Sequence, residues 1–105
     1  MAERITAAEF AEKVTGADKI TIVDFYSDSC VPCKMLSPVL SQLETELGGE
    51  VVIYKVNVGY EQELVERYDV QASPTLIFFR GGEEVSRIRG AVRKPRILEE
   101  LDKLR

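Results

Sequence analysis

Three short apolar runs constrain this chain most: Ile20 to Tyr26, Val51 to Val58 and Thr75 to Arg80, separated by stretches with helical spacing. Runs this short, rich in β-branched and aromatic residues, read as strands. A near-continuous apolar strand is one covered on both faces. Parallel strands need crossover connections, and the intervening helical patterns supply them. The expected fold class is therefore α/β, a mixed sheet with helices packed on both faces.

Local signals fill in the order. Arg4-Ile5 is expected as a short first strand. Thr6-Ala7-Ala8-Glu9 reads as a capping box that starts a helix running to about Val14, with Phe10 and Val14 inward and Gly16 ending it. After the first long strand, Ser27 to Pro32 interrupts. A helix follows with Leu36, Val39, Leu40, Leu43 and Leu47 on one stripe and Gly48-Gly49 as its stop. Pro38 lies inside it and should kink it. Glu61 to Tyr68 is a short helix burying Leu64, Val65 and Tyr68. Thr75 to Arg80 and Glu84 to Arg89 form a hairpin about Gly81-Gly82. Lys94 to Leu104 closes the chain, with Pro95 in its first turn and Ile97, Leu98, Leu101 and Leu104 inward. The expected order is β-α-β-α-β-α-β-β-α, in one domain over residues 1–105 without repeats or linkers.

Composition removes several functions. The chain has 105 residues, two cysteines and no histidine, so imidazole-based catalysis and a closed mononuclear His/Cys zinc site are both excluded within it. Net charge is -4, which disfavours general nucleic-acid binding. The charge is uneven: residues 1–79 hold 6 basic and 13 acidic side chains, residues 80–105 hold 8 and 5. No apolar stretch is long enough to span a membrane or act as a secretory leader, so a cytoplasmic protein is expected. Nothing resembles a Gly-rich phosphate loop, so no bound cofactor is expected.

Cys30-Val31-Pro32-Cys33 carries the chemistry. It follows a buried strand and opens a helix, where residues three apart bring their Cα atoms within disulfide reach. The ring is small, so chain entropy favours the disulfide little and it should be readily reduced. The helix N-terminus favours a thiolate on Cys30, while Cys33, one turn in, is expected to be buried. That makes Cys30 the attacking thiol and Cys33 the resolving one. Half a zinc site shared between chains, a structural disulfide or two inert core cysteines are the competing readings; spacing and position favour redox use.

The chain resembles the thioredoxin family over essentially its full length. The matching stretches are Val23-Asp24-Phe25-Tyr26, Cys30-Val31-Pro32-Cys33-Lys34, Lys55-Val56-Asn57-Val58, Tyr68-Asp69-Val70, Ser73-Pro74-Thr75 and Gly90-Ala91. By its residues alone, Asp24 is the one carboxylate in an apolar strand, where burial would raise its pKa, or else it faces outward. Lys55 is the one charge in another buried-looking strand, either snorkelling to solvent or, as the resemblance implies, tuning Asp24. The resemblance implies a five-stranded sheet with four helices, Asp24 beneath the dithiol exchanging a proton with Cys33, and Lys55 near Asp24. It implies a cis Pro74 facing the dithiol, with the Ser73 backbone pairing with an extended substrate. Val31, Pro32, Val58, Ala72, Ser73, Gly90 and Ala91 would line a shallow docking groove. A trans strand-start proline and a plain turn at Gly90-Ala91 are the alternatives read from the residues.

The implied activity is thiol–disulfide exchange on proteins, through a monomer reduced by a thioredoxin reductase. Disulfide-containing proteins are the expected partners, with neither nucleic acid nor membrane among them. A donor dedicated to one reductase enzyme and a redox-silent adaptor are the alternatives. The sequence departs from the family pattern at Tyr26 and Ser29, where tryptophan is usual, at Val31 between the cysteines, at Ser73 before the proline, and at Arg89. Partner preference is where these departures bear. Arg87, Arg89, Arg93, Lys94 and Arg96 read either as a solvated face or as an electrostatic guide for acidic partners.

Overall fold

A computed structural model of the chain describes residues 2–105. Among the described residues the order is β1 (Glu3–Arg4), α1 (Ala7–Phe10) continued by a π-helical segment (Ala11–Thr15), β2 (Ile20–Tyr26), α2 (Val31–Leu47), β3 (Val51–Asn57), α3 (Gln62–Arg67), β4 (Thr75–Arg80), β5 (Glu83–Arg89) and α4 (Lys94–Leu104). The strands form one five-stranded sheet in the order β1-β3-β2-β4-β5. β1, β3 and β2 run parallel; β4 is antiparallel to β2 and to β5.

β2 is the centre of the sheet, and its alternation divides the core in two. Ile22 packs with Leu36, Leu40 and Leu43 of α2 and with Ile97 and Leu101 of α4. Val23 and Phe25 point the other way, to Phe10 and Val14 of the first helix and Leu64 of α3. On that second side Phe10, Tyr68 and Phe79 form a ring cluster with centroids 5.2 to 5.5 Å apart.

Most element boundaries fall within a residue of expectation. The first strand is Glu3–Arg4 rather than Arg4-Ile5, although the Ile5 amide still donates to the Lys55 carbonyl at 2.9 Å. The Thr6/Glu9 capping box forms in both directions. The helix it starts changes pitch after Phe10: the Gly16 amide reaches the Ala11 carbonyl at 3.1 Å, the wider spacing of a π-turn. No side chain fits comfortably there, because a Cβ on Gly16 would sit 3.0 Å from the Glu12 carbonyl oxygen. α2 is continuous from Val31 to Leu47 through Pro38, which faces solvent. The residue lacking an amide donor therefore leaves the packed stripe untouched.

Gly81 and Gly82 both take positive φ, as the expected two-residue hairpin requires. Gly82 has a second reason to be glycine: a Cβ would lie 2.8 Å from the Thr15 carbonyl oxygen. The register of β5 shifts between Phe78 and Phe79, leaving Val85 as an exposed bulge.

Candidate active site

Cys30 and Cys33 are joined by a disulfide at the start of α2, with Cα atoms 5.2 Å apart. Cys30 is the N-cap residue, in extended conformation, and its sulfur accepts from the Cys33 amide at 3.1 Å. A sulfur in the place of the usual capping oxygen meets the free donors and positive end of the helix dipole, which favour a thiolate there. The two sulfurs differ in access: Cys30 is partly exposed, whereas Cys33 is 5% exposed.

Opposite the disulfide, β4 begins at Thr75 after a cis Ser73–Pro74 bond. The Ser73 carbonyl oxygen lies 3.4 Å from the Cys30 sulfur. The Pro74 carbonyl accepts from Gly90 at 2.8 Å, tying the end of β5 to the same corner. Ser73, Pro74 and Gly90 are therefore gathered at the dithiol.

Asp24 lies two residues from Ile22 on β2 and so faces the α2 side. It is fully buried, and neither carboxyl oxygen has a hydrogen-bond partner. Burial pushes its pKa up to about 7, against a smaller downward pull from Lys55. Lys55 is its register partner on β3. Its ammonium, however, stands 4.4 Å from the centroid of the Tyr26 ring and makes no ion pair with Asp24. A cleft of about 320 Å³ opens beside Cys33, walled by Tyr26, Asp28, Lys34, Lys55 and two serines, Ser27 and Ser37. It brings solvent to the buried side of the disulfide.

The expected docking residues do not form one continuous hollow. Val58, Ala72 and Ser73 line a depression of about 270 Å³ together with Val65 and Val70. Ala91 belongs to another, of about 340 Å³, with Met35, Val39 and Val92. Val31 and Pro32 are exposed and, like Gly90, line neither.

Asn57 and Asp28 received no role from the sequence. Asn57 is 2% exposed; its amide nitrogen donates to Asp28 at 3.1 Å and its oxygen accepts from Gly59 at 2.8 Å. This pins the Ser27–Ser29 loop, which leads into Cys30, to the end of β3. An asparagine closing an apolar strand was the available signal.

The basic residues near the C-terminus do not make one surface. Arg87 is held by Glu84 and by the Tyr68 carbonyl, Lys94 by Glu46 and Arg96 by Glu100. Arg87 and Arg89 lie on the side of β5 away from Ile88, whereas Lys94 and Arg96 belong to α4 on the other side. Among the described residues only Arg89 and Arg93 of the five lack an ion pair. Closeness in sequence was misleading because alternation along β5 and the turn into α4 send neighbours to opposite faces.

A disulfide between an N-cap cysteine and a buried partner one turn later is equipped for exchange with other disulfides. Comparison with known proteins agrees. The thioredoxin family model matches residues 1–103. The chain is 39% identical over 98 residues to thioredoxin of Mycobacterium tuberculosis, covering 93% of this chain and 84% of that protein. It is 31% identical over 102 residues to thioredoxin 1 of a Nostoc species, covering 97% and 95%. It is also 36% identical over 97 residues to the bifunctional thioredoxin reductase/thioredoxin of Mycobacterium leprae, covering 92% of this chain and 21% of that protein. The chain belongs to the thioredoxin family and is a thiol–disulfide oxidoreductase. Among the described residues no helix is long and apolar enough to cross a membrane, and no cluster of three or more potential ligands could hold a metal.

Proposed function

We propose that the protein, a single domain acting as a monomer in the cytoplasm, reduces disulfides in other proteins with Cys30 as nucleophile and Cys33 as resolving thiol. The observation that carries this is the asymmetry of the pair: Cys30 accepts the Cys33 amide at the helix start and is open to solvent, while Cys33 is covered. The Cys30 thiolate attacks one sulfur of the substrate disulfide, forms a mixed disulfide and expels the first substrate thiolate. Cys33 then loses its proton to Asp24 and attacks the Cys30 sulfur. The second substrate thiolate leaves, and the Cys30–Cys33 disulfide retains the oxidation removed from the substrate. A carboxyl poised near neutral pH suits that transfer, since both its forms are populated where the reaction runs. Lys55 tempers the carboxyl from the neighbouring strand.

The Ser73 amide has no backbone partner among the described residues, and its carbonyl borders Cys30. An extended substrate segment would pair there as a short added strand, with Pro74 behind it. Val31, Pro32, Val58, Ala72, Gly90 and Ala91 would form the surrounding contact surface. A thioredoxin reductase returns two electrons to the disulfide; the fused arrangement of the M. leprae relative supports that source. The chain itself carries no cofactor in this scheme.

Insulin reduction driven by dithiothreitol tests the assignment. Cys30→Ser should abolish turnover, and Cys33→Ser should accumulate mixed disulfides with the substrate. Undiminished turnover in Cys30→Ser, or no trapped adduct in Cys33→Ser, would overturn it.

A further inference from the structure

Lys55 has two neighbours on β2 that compete for its ammonium. Asp24 is its register partner, and Tyr26, two residues further, lies on the same face of the sheet and against Asn57 of β3. The side chain has gone to the ring: its nitrogen is 4.4 Å from the Tyr26 centroid, within cation–π range, while both Asp24 oxygens stay without a partner. Tyr26 also raises the pKa of Arg4 on β1, whose guanidinium stands over the Tyr60 ring at 5.9 Å. Arg4 in turn is the register partner of Lys55.

We propose that Tyr26 is a positioning residue for the proton step: its ring holds the Lys55 ammonium away from Asp24, so that the buried carboxyl, with no cation paired to it, can take up the Cys33 proton. The proposal rests on the role given to Asp24 above. Physically, a neutral acid offers an ammonium little, and pairing an ionised one inside the protein requires the cation to give up its hydration. The aromatic face lets Lys55 remain half-buried with its charge satisfied. Other groups around Asp24 do not replace it. β4 presents Leu76 and α4 presents Ile97 and Leu101, all apolar. α2 presents Cys33, which holds no proton in the disulfide, and Lys34 is exposed. Asp28 is occupied by Asn57.

The test is the Asp24 carboxyl titration, followed by carbon-13 NMR in the oxidised protein, where no thiol titrates. Tyr26→Leu should lower the midpoint by about one pH unit as Lys55 turns to the carboxylate, a tenfold change in its protonation equilibrium. Tyr26→Phe and Tyr26→Trp, which keep an aromatic face, should hold the midpoint. In a Lys55→Met background Tyr26→Leu should have no effect. An unchanged or raised midpoint in Tyr26→Leu overturns the proposal, as does a shift that persists without Lys55. If Tyr26→Leu does not fold, a midpoint displaced in Tyr26→Phe by as much as in Lys55→Met overturns it. The pH profile of mixed-disulfide release separates the two ideas: a moved midpoint with an unmoved profile sinks the Asp24 role and leaves the Tyr26 assignment standing.

Discussion

Asp24 of β2 and Glu100 of α4 both lie on the α2/α4 side of the sheet, Asp24 fully buried and Glu100 9% exposed. Glu100 is provided for: Ser86 donates to it at 2.5 Å and Arg96 at 2.9 Å, and these bonds, Ser86 first, lower its pKa. Asp24 receives no hydrogen bond, and burial raises its pKa to about 7. The fold is thus able to satisfy a carboxylate on this face and does so where the group only holds α4 to β5. A buried acid left alone costs stability, and groups left in that condition concentrate at sites of reaction. Asp24 is left without a partner at the position to which we assign the proton transfer.

The sharpest way to break the comparison is Asp24→Asn. Asp24 is harder to ionise folded than unfolded, so its contribution turns unfavourable as pH rises from its unfolded pKa toward 7 and is constant above that. Removing the charge should therefore stabilise the oxidised protein at pH 8. A shift of about three units at about 1.4 kcal/mol each sets an upper value of roughly 4 kcal/mol. The gain should vanish near pH 4, and denaturant melts at the two pH values measure it. A variant no more stable than the parent at pH 8 would mean that Asp24 is solvated or paired.

Glu100→Gln should behave with the opposite sign. Its folded pKa is depressed, so its stabilisation is present above the ordinary glutamate range and is lost as pH falls through the folded value. We expect a loss of about 2 kcal/mol at pH 8, for a charge-assisted bond removed from a covered site, and a smaller difference at pH 3. Ser86→Ala should give the smallest effect, about 1 kcal/mol, the net worth of one hydrogen bond, because Arg96 remains on the carboxylate. Equal losses for Glu100→Gln and Ser86→Ala would show that the Arg96 contact contributes nothing.

Much of this arrangement was legible in the chain. The β-branched runs located the core strands, the capping box located α1, and Gly81-Gly82 located the hairpin, because each is decided by neighbours in sequence. The two-cysteine motif was legible for the same reason. The direction in which Asp24 points was not, since β2 is apolar on both faces and alternation had no polar side to reveal. Glu100 was overlooked although it falls on the helical spacing of Ile97 and Leu104; a charged residue on an inward stripe is the signal of a satisfied carboxylate. The partner of Lys55 and the split of the basic residues depend on register between strands distant in sequence, which no local pattern records. The π-helical segment after Phe10 is another such case.

The outer strand β5 has a consequence for how the molecule keeps to itself. A strand at the edge of a sheet presents free backbone groups on which another chain can build. Here that edge is broken by the bulge at Val85 and carries Glu83, Glu84, Arg87 and Arg89 along its length, while the opposite edge, β1, is two residues long. On β5 the bulge and the charges oppose the growth of a ladder. On the proposed substrate site, a foreign chain would pair only with the short stretch at Ser73, and so be held beside the sulfur long enough to react and then let go.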